Sequence, residues 1–211
     1  MLLSLIVTVA ALAATLIAGA SGAGTAAALA KMAASCGFLA LAVTAGALHS
    51  NYGRVLLLGL VFSWWGDLFL IFSGPRLFLA GLIAFFLAHA AYSVAFLVHG
   101  VSLNATLLAL VALVVPVFVI HRWLNPHLDD MRGPVYAYMV IITLMVALAA
   151  GTLGKQGPFL ILIGALLFYV SDLYVARGRF VAPGPWNSRI GLPLYFAGQV
   201  ALAYSIRLAG K

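Results

Sequence analysis

Residues 55–72 read VLLLGLVFSWWGDLFLIF and residues 158–176 read PFLILIGALLFYVSDLYVA, two apolar runs each broken by one aspartate, Asp67 in the first and Asp172 in the second. A run of about 20 apolar residues is what a membrane-spanning helix needs, because a helix satisfies every backbone amide within its own segment. A carboxylate in hydrocarbon is costly unless it faces a bundle interior, a water-filled cavity or a partner, so each aspartate marks a functional site by default. The chain has four acidic residues. The other two, Asp129 and Asp130, are adjacent in a polar connection, which leaves Asp67 and Asp172 alone in the apolar part.

Working outward, 65% of the residues are hydrophobic, 7% are charged and the mean hydropathy is +1.18. Such a chain cannot cover a soluble surface with polar groups, but it suits a bilayer. Spans are predicted at residues 2–20, 27–48, 55–72, 77–98, 103–120, 134–151, 158–176 and 190–208. The expected fold class is therefore all-α, a polytopic membrane helix bundle forming a single integral membrane domain over residues 1–211. The first run is followed by the small residues AGASGAG (18–24) but has no basic segment before it, and seven further spans follow, so it reads as a retained helix and not a cleaved signal. Cys36 is the one cysteine, which excludes a disulfide framework or a cysteine-based zinc site within the chain.

The net charge is +7. The basic residues are spread over helix ends and not gathered into a stripe, so no nucleic-acid partner is expected; they read as interface anchors and topology signals. Lys31, Arg76, Arg122, Arg132, Arg177, Arg179 and Arg189 fall on the side of the odd-numbered connections, while Arg54, Lys155, Arg207 and Lys211 fall on the other. That bias of seven to four places the odd-numbered connections in the cytoplasm and both termini outside.

The segments FSWWGDLF (62–69) and LFYVSDLY (167–174) align on a small residue, Asp, Leu and an aromatic. They lie four spans apart, so the two helices run the same way, as a parallel 4+4 repeat requires. Depth adds to this. At about 1.5 Å per residue, Asp67 lies roughly 9 Å from the turn at Ser73 and Asp172 roughly 8 Å from Arg177, both on one side and just below the lipid glycerol level. Tyr195 is about 9 Å below Arg189 from the same side, Gln199 is one turn deeper on the same face, and His89 is near the middle, about 18 Å from Leu77.

Each of these also has a plainer reading. Paired aspartates serve as interhelical hydrogen-bond glue in some bundles, although glue is more often Ser, Thr or Asn. His89 reads equally as a core histidine bonded to a backbone carbonyl, and Trp64, Trp65, Phe85 and Phe86 read either as a tunnel lining or as packing. The loop HRWLNPHLDD (121–130) mixes His and Asp, but no pair has the i, i+4 spacing of a strong metal motif.

Gly66-Asp67-Leu68, Ala88-His89 through Tyr92, the F-x-x-S-D-L of Phe168 through Leu173, and Arg189, Tyr195 and Gln199 in R-x5-Y-x3-Q spacing follow one another from the third span to the last. This succession resembles the YhhN family of lysoplasmalogenases. The family usually has Gly before the fourth-helix His, where this chain has Ala88, and often a second Tyr where it has Phe196. The resemblance implies an ether hydrolase of a bacterial inner membrane, cleaving the vinyl ether bond of a lysoplasmalogen to a fatty aldehyde and a glycerophospho-base. It further implies Asp67 and Asp172 as catalytic residues and His89, Tyr92, Arg177, Arg189, Tyr195 and Gln199 as substrate-binding residues. The implied partners are a lysophospholipid substrate and the bilayer; no metal or other cofactor is needed.

The residues suit that chemistry. A vinyl ether is cleaved by protonation at carbon, which creates an oxocarbenium ion that water attacks, and two carboxyl groups divide those tasks as in glycoside hydrolysis. The vinyl ether lies directly beneath the lipid glycerol, at the depth of the two aspartates. Arg76, Arg177, Arg179 and Arg189 on that side read either as lipid-phosphate ligands or as topology anchors. The main alternative is a proton-coupled transporter, in which intramembrane carboxylates relay protons, but that predicts polar residues along a full path and the opposite leaflet has few. A metal-dependent lipid hydrolase needs several buried histidines, and only His89 qualifies.

Overall fold

The structure, a computed structural model, describes residues 1–209; Lys211, counted above among the basic residues, lies outside them. Among the described residues there are eight long α-helices: α1 (Leu2–Ala20), α2 (Gly24–Thr44), α3 (Asn51–Phe69), α4 (Pro75–His99), α5 (Leu103–Leu124), α6 (Arg132–Leu153), α7 (Phe159–Ala176) and α8 (Pro185–Ala209). Six of them, α1, α2 and α4 to α7, are long and apolar enough to cross a membrane. The helices α3 and α8 match them in length but carry the polar residues described below, which lowers their hydropathy. The protein is an integral, multi-pass membrane protein built as a helical bundle.

Helix ends differ from the hydropathy boundaries because caps, and not polarity, stop helices. The third helix begins at Asn51, four residues before the expected start, since the Ser50 hydroxyl accepts the Gly53 amide at 3.0 Å; Arg54 then sits in the first turn and donates to the Leu48 carbonyl. The second helix stops at Thr44, ahead of the expected residue 48, because Gly46 turns the chain at φ +98° into a short 3-10 turn, Ala47–His49. The eighth begins at Pro185, where a missing amide proton costs a first turn nothing.

Consecutive helices pair as four hairpins, α1 with α2, α3 with α4, α5 with α6, and α7 with α8; α4 packs on α6, and α8 returns to α1, α2 and α3. On α5 a row of large apolar side chains including Leu108, Val111, Val115 and Phe118 is exposed, as are Leu2, Leu3 and Ile6 of α1. In water such patches invite aggregation, whereas in a bilayer they are the lipid-facing surface.

The third and fourth helices approach each other in the same way as the seventh and eighth. A Cβ on Gly59 would stand 3.1 Å from the Ala88 carbonyl, and one on Gly164 would stand 3.0 Å from that of Gly198. A Cβ on Gly81 would stand 3.6 Å from the Gly66 carbonyl, and one on Gly191 would stand 3.6 Å from that of Ser171. One sequence offset relates Gly59 to Gly164, Gly66 to Ser171 and Asp67 to Asp172, while a second relates Gly81 to Gly191, Ala88 to Gly198 and His89 to Gln199. The two hairpins thus share a packing plan that places the aspartates at equivalent positions.

These close approaches carry stability. A side chain at Gly59 runs into the fully buried ring of Tyr92. Gly59→Val is expected to destabilise the bundle by about 1–3 kcal/mol, the usual cost of overpacking. A lowered thermal midpoint in detergent checks this, against Gly184→Ala, which points into open space and should leave the midpoint in place.

Candidate functional site

A cavity of about 380 Å³ opens at the end of the bundle formed by the odd-numbered connections. Its walls come from α2 through α8, and Gly178, Phe180, Asn187 and Ser188 stand at the connection between α7 and α8. The lining is mostly apolar, with Leu82, Leu124, Val135 and Ile142 among it, and two carboxylates, Asp67 and Asp172, reach it. The last turns of α3 and α7 carry these aspartates to a similar depth because the two helices run parallel and end on the same side.

Asp67 is almost completely buried and richly partnered. The ammonium of Lys31, on α2, lies 3.0 Å from Oδ1 and also donates to the Asp67 carbonyl at 3.2 Å. Oδ2 accepts the Ser35 hydroxyl at 2.7 Å and the Tyr195 hydroxyl at 2.6 Å. A carboxylate out of water needs this set, a cation and further donors for the remaining lone pairs. Lys31 meets the matching requirement by lying along the apolar wall with its head on the carboxylate.

Asp172 has fewer partners and more room, its side chain being 17% exposed toward the cavity. Its Oδ2 accepts the Tyr138 hydroxyl of α6 at 2.5 Å. The His89 Nε2 of α4 stands 3.8 Å from the same oxygen, beyond hydrogen-bond distance. His89 is fully buried, and its Nδ1 donates to the Phe85 carbonyl at 2.5 Å, as expected of an i to i−4 contact on one helix. Among the described residues its Nε2 has no hydrogen-bond partner. Each aspartate is thus served by the helix before it and faced by the fourth helix of the other half: Asp67 by Tyr195 of α8, Asp172 by His89 of α4.

Behind the cavity wall lies a second polar layer. The Tyr92 hydroxyl donates to Gln199 Oε1 at 2.8 Å and sits 3.1 Å from the Ser63 hydroxyl, all three residues fully buried or nearly so. Tyr92, Gln199 and His89 lie outside the cavity lining, so of the candidate catalytic and substrate-binding residues it is Asp67, Asp172 and Tyr195 that form its wall. Phe85 and Phe168 separate the two layers by edge-on contacts with Tyr195, at 5.9 and 5.2 Å between ring centres. Of the four aromatics read as a tunnel, Phe85 lines the cavity, whereas Trp65 faces outward and stacks on Phe69.

The arginines sit at the rim. Arg177 donates to Asn187 Oδ1 at 2.8 Å, and Asn187 in turn lines the cavity; Arg179 lies 4.4 Å over the ring of Phe78; Arg189 lies over Trp186 at 5.3 Å. None of the three lines the cavity itself. In the 121–130 segment His121 packs against Tyr136, and among the described residues no three or more His, Cys, Asp or Glu are arranged so that they could hold a metal ion.

Three residues at the carboxylates were not singled out from sequence: Lys31, Ser35 and Tyr138. Lys31 was read as a topology charge, yet it lies within the run 27–48, and a cation inside a span carries the same signal as an aspartate there. Ser35 is one turn from it on the same face, and Tyr138, about 9 Å into α6, matches the depth of Asp172.

The sequence profile described as the YhhN family matches residues 26–206 of this chain. Among curated proteins, the chain is 31% identical to lysoplasmalogenase TMEM86A of Bos taurus, the comparison covering 74% of this chain and 66% of the bovine protein. It is 28% identical to the human TMEM86A over the same shares, and 32% identical to human lysoplasmalogenase TMEM86B over 74% of this chain and 64% of that protein. The chain therefore spans just under two thirds of the length of these relatives. No solved structure matches it. With the family's profile matched from the second helix to the last, and both cavity aspartates inside the matched residues, this chain belongs to the YhhN family.

Proposed function

We propose that this protein is a lysoplasmalogenase, an ether hydrolase that cleaves the vinyl ether bond of a lysoplasmalogen to a fatty aldehyde and a glycerophospho-base. The observation that carries this reading is the pair of carboxylates, Asp67 and Asp172, on one largely apolar cavity; counting residues from the helix ends puts them at the depth of a lipid's first chain atoms. The likeness to proteins named lysoplasmalogenases supports it.

One aspartate, in its acid form, protonates the outer carbon of the vinyl ether, and the electron pair of the double bond forms the new C–H bond. The other, as an anion, faces the oxocarbenium ion so formed and lowers its energy in a low-dielectric site. Water adds to the cationic carbon and its released proton returns to the carboxylate that began as the acid. The hemiacetal then breaks its C–O bond, giving the aldehyde and the free glycerol hydroxyl, so one water is consumed and no proton is lost. Tyr195 and Tyr138 orient the two carboxylates, and the apolar wall holds the alkenyl chain. The lipid phosphate stays at the rim, near Arg177, Arg189 and Asn187; His89, Tyr92 and Gln199 support the wall from behind.

Purified protein in detergent is expected to release aldehyde from a lysoplasmalogen with chelator present. Failure to do so with protein that melts cooperatively would overturn the proposal.

We place the active end in the cytoplasm of an inner-membrane protein, on the basic bias of the odd-numbered connections. In a Cys36→Ser background, an impermeant thiol reagent applied to intact cells should label Lys155→Cys and spare Gly184→Cys. The reverse pattern would move the site to the outer leaflet.

A further inference from the structure

The two aspartates are alike in sequence and depth, but their surroundings are opposite. Facing Asp67 are Lys31 from α2, Tyr195 from α8 and, one layer back, Tyr92 from α4; Lys31, Ser35 and Tyr195 supply a cation and two hydroxyl donors to its oxygens, while the Tyr92 hydroxyl is engaged by Gln199 and Ser63. Facing Asp172 are Tyr138 from α6, which donates, and His89 from α4, which does not. His89 Nδ1 carries its proton toward the Phe85 carbonyl, so in the neutral ring, the form that complete burial favours, Nε2 is an unprotonated lone pair 3.8 Å from Asp172 Oδ2. A carboxylate beside a lone pair is repelled, whereas a carboxylic acid beside one has an acceptor for its proton. Lys31 does the converse at Asp67, where an acid would leave an ammonium without its counter-ion.

We infer that Lys31 is the positioning residue that divides the labour of the pair: it holds Asp67 as the permanent anion that faces the oxocarbenium ion, which assigns the proton to Asp172. His89 marks the acid end of the same arrangement. This rests on the vinyl-ether reading for its chemistry, but the distribution of charge between the aspartates is a property of the unliganded protein and is measured without substrate.

The chain allows that measurement directly, since its four acidic residues are all aspartates and Asp129 and Asp130 are exposed in a connection. In a carbonyl-free detergent at neutral pH, the infrared spectrum of the wild-type protein should contain one protonated-carboxyl band. That band should vanish in Asp172→Asn and persist in Asp67→Asn. In Lys31→Met a second such band should appear, because a buried carboxylate deprived of its cation takes up a proton. With lysoplasmalogen, Lys31→Met should lose about 10²- to 10³-fold in kcat at little change in KM, the scale of one preorganised electrostatic partner. Lys31→Arg, which keeps the charge, should recover part of that rate and show the single band. A band that disappears in Asp67→Asn and not in Asp172→Asn overturns the inference even if Lys31→Met does not fold. So does a Lys31→Met protein that keeps wild-type kcat, or one that loses activity with no second band. If the wild-type protein releases no aldehyde while the spectra behave as stated, the vinyl-ether reading fails and the charge assignment stands.

Discussion

Asp172→Asn is expected to lose at least about 10²- to 10⁴-fold in aldehyde release, the range set by removing a general acid. The loss should come with a thermal midpoint close to that of the wild-type protein. The amide keeps an oxygen to accept the Tyr138 hydroxyl, and the side chain borders the cavity, so no buried charge is left alone. Asp67→Asn should lose activity on the same scale, because an amide cannot offer the negative charge that the oxocarbenium ion requires. It should also melt at a lower temperature. Its removal strands the Lys31 ammonium, which is 13% exposed, and breaking one partner of a buried pair costs about 3–5 kcal/mol. Aldehyde release and detergent melting of the two variants separate these effects. Near-normal turnover in either variant would sink the two-aspartate mechanism, and equal melting would show that Lys31 and Asp67 are not coupled as their 3.0 Å contact requires.

A saturated alkyl-ether lysolipid should occupy the cavity without being cleaved, and it should act as a competitive inhibitor of lysoplasmalogen turnover. It differs from the substrate by a double bond alone, and without that bond there is no carbon to protonate and no route to the oxocarbenium ion. An acyl lysolipid should likewise be a poor substrate. The serines on the cavity wall, Ser171 and Ser188, donate their hydroxyls to the backbone carbonyls of Phe168 and Pro185, and Ser35 behind it donates to Asp67, so none of the three is paired with a histidine or a neutral amine that would activate it as a nucleophile. Turnover of the vinyl ether should also slow in heavy water, because carbon protonation moves a proton in the limiting step. Efficient hydrolysis of the acyl ester would remove the basis for a vinyl-ether mechanism. Substrate-driven proton movement in liposomes without aldehyde formation would establish a transporter in its place.

Sequence alone determined the bilayer as the solvent, the number and order of the helices, the isolation of Asp67 and Asp172, and their common depth. These are local or one-dimensional properties. Hydropathy is read from a window of neighbours, a carboxylate stands out in hydrocarbon, and distance along a helix follows from counting residues at a fixed rise. The rest was decided sideways, in the plane of the membrane. Counting residues tells how deep Lys31, Tyr138, Tyr195 and His89 lie, but not which helix stands next to which or how each is rotated about its axis. That Lys31 serves Asp67 and not a phosphate, that Tyr195 crosses to the opposite half, and that His89 turns a lone pair toward Asp172 all depend on α2 and α8 flanking α3 while α4 and α6 close on α7. The glycines at the two hairpin contacts set those rotations, because there the backbones of neighbouring helices come close enough to fix which face is turned inward.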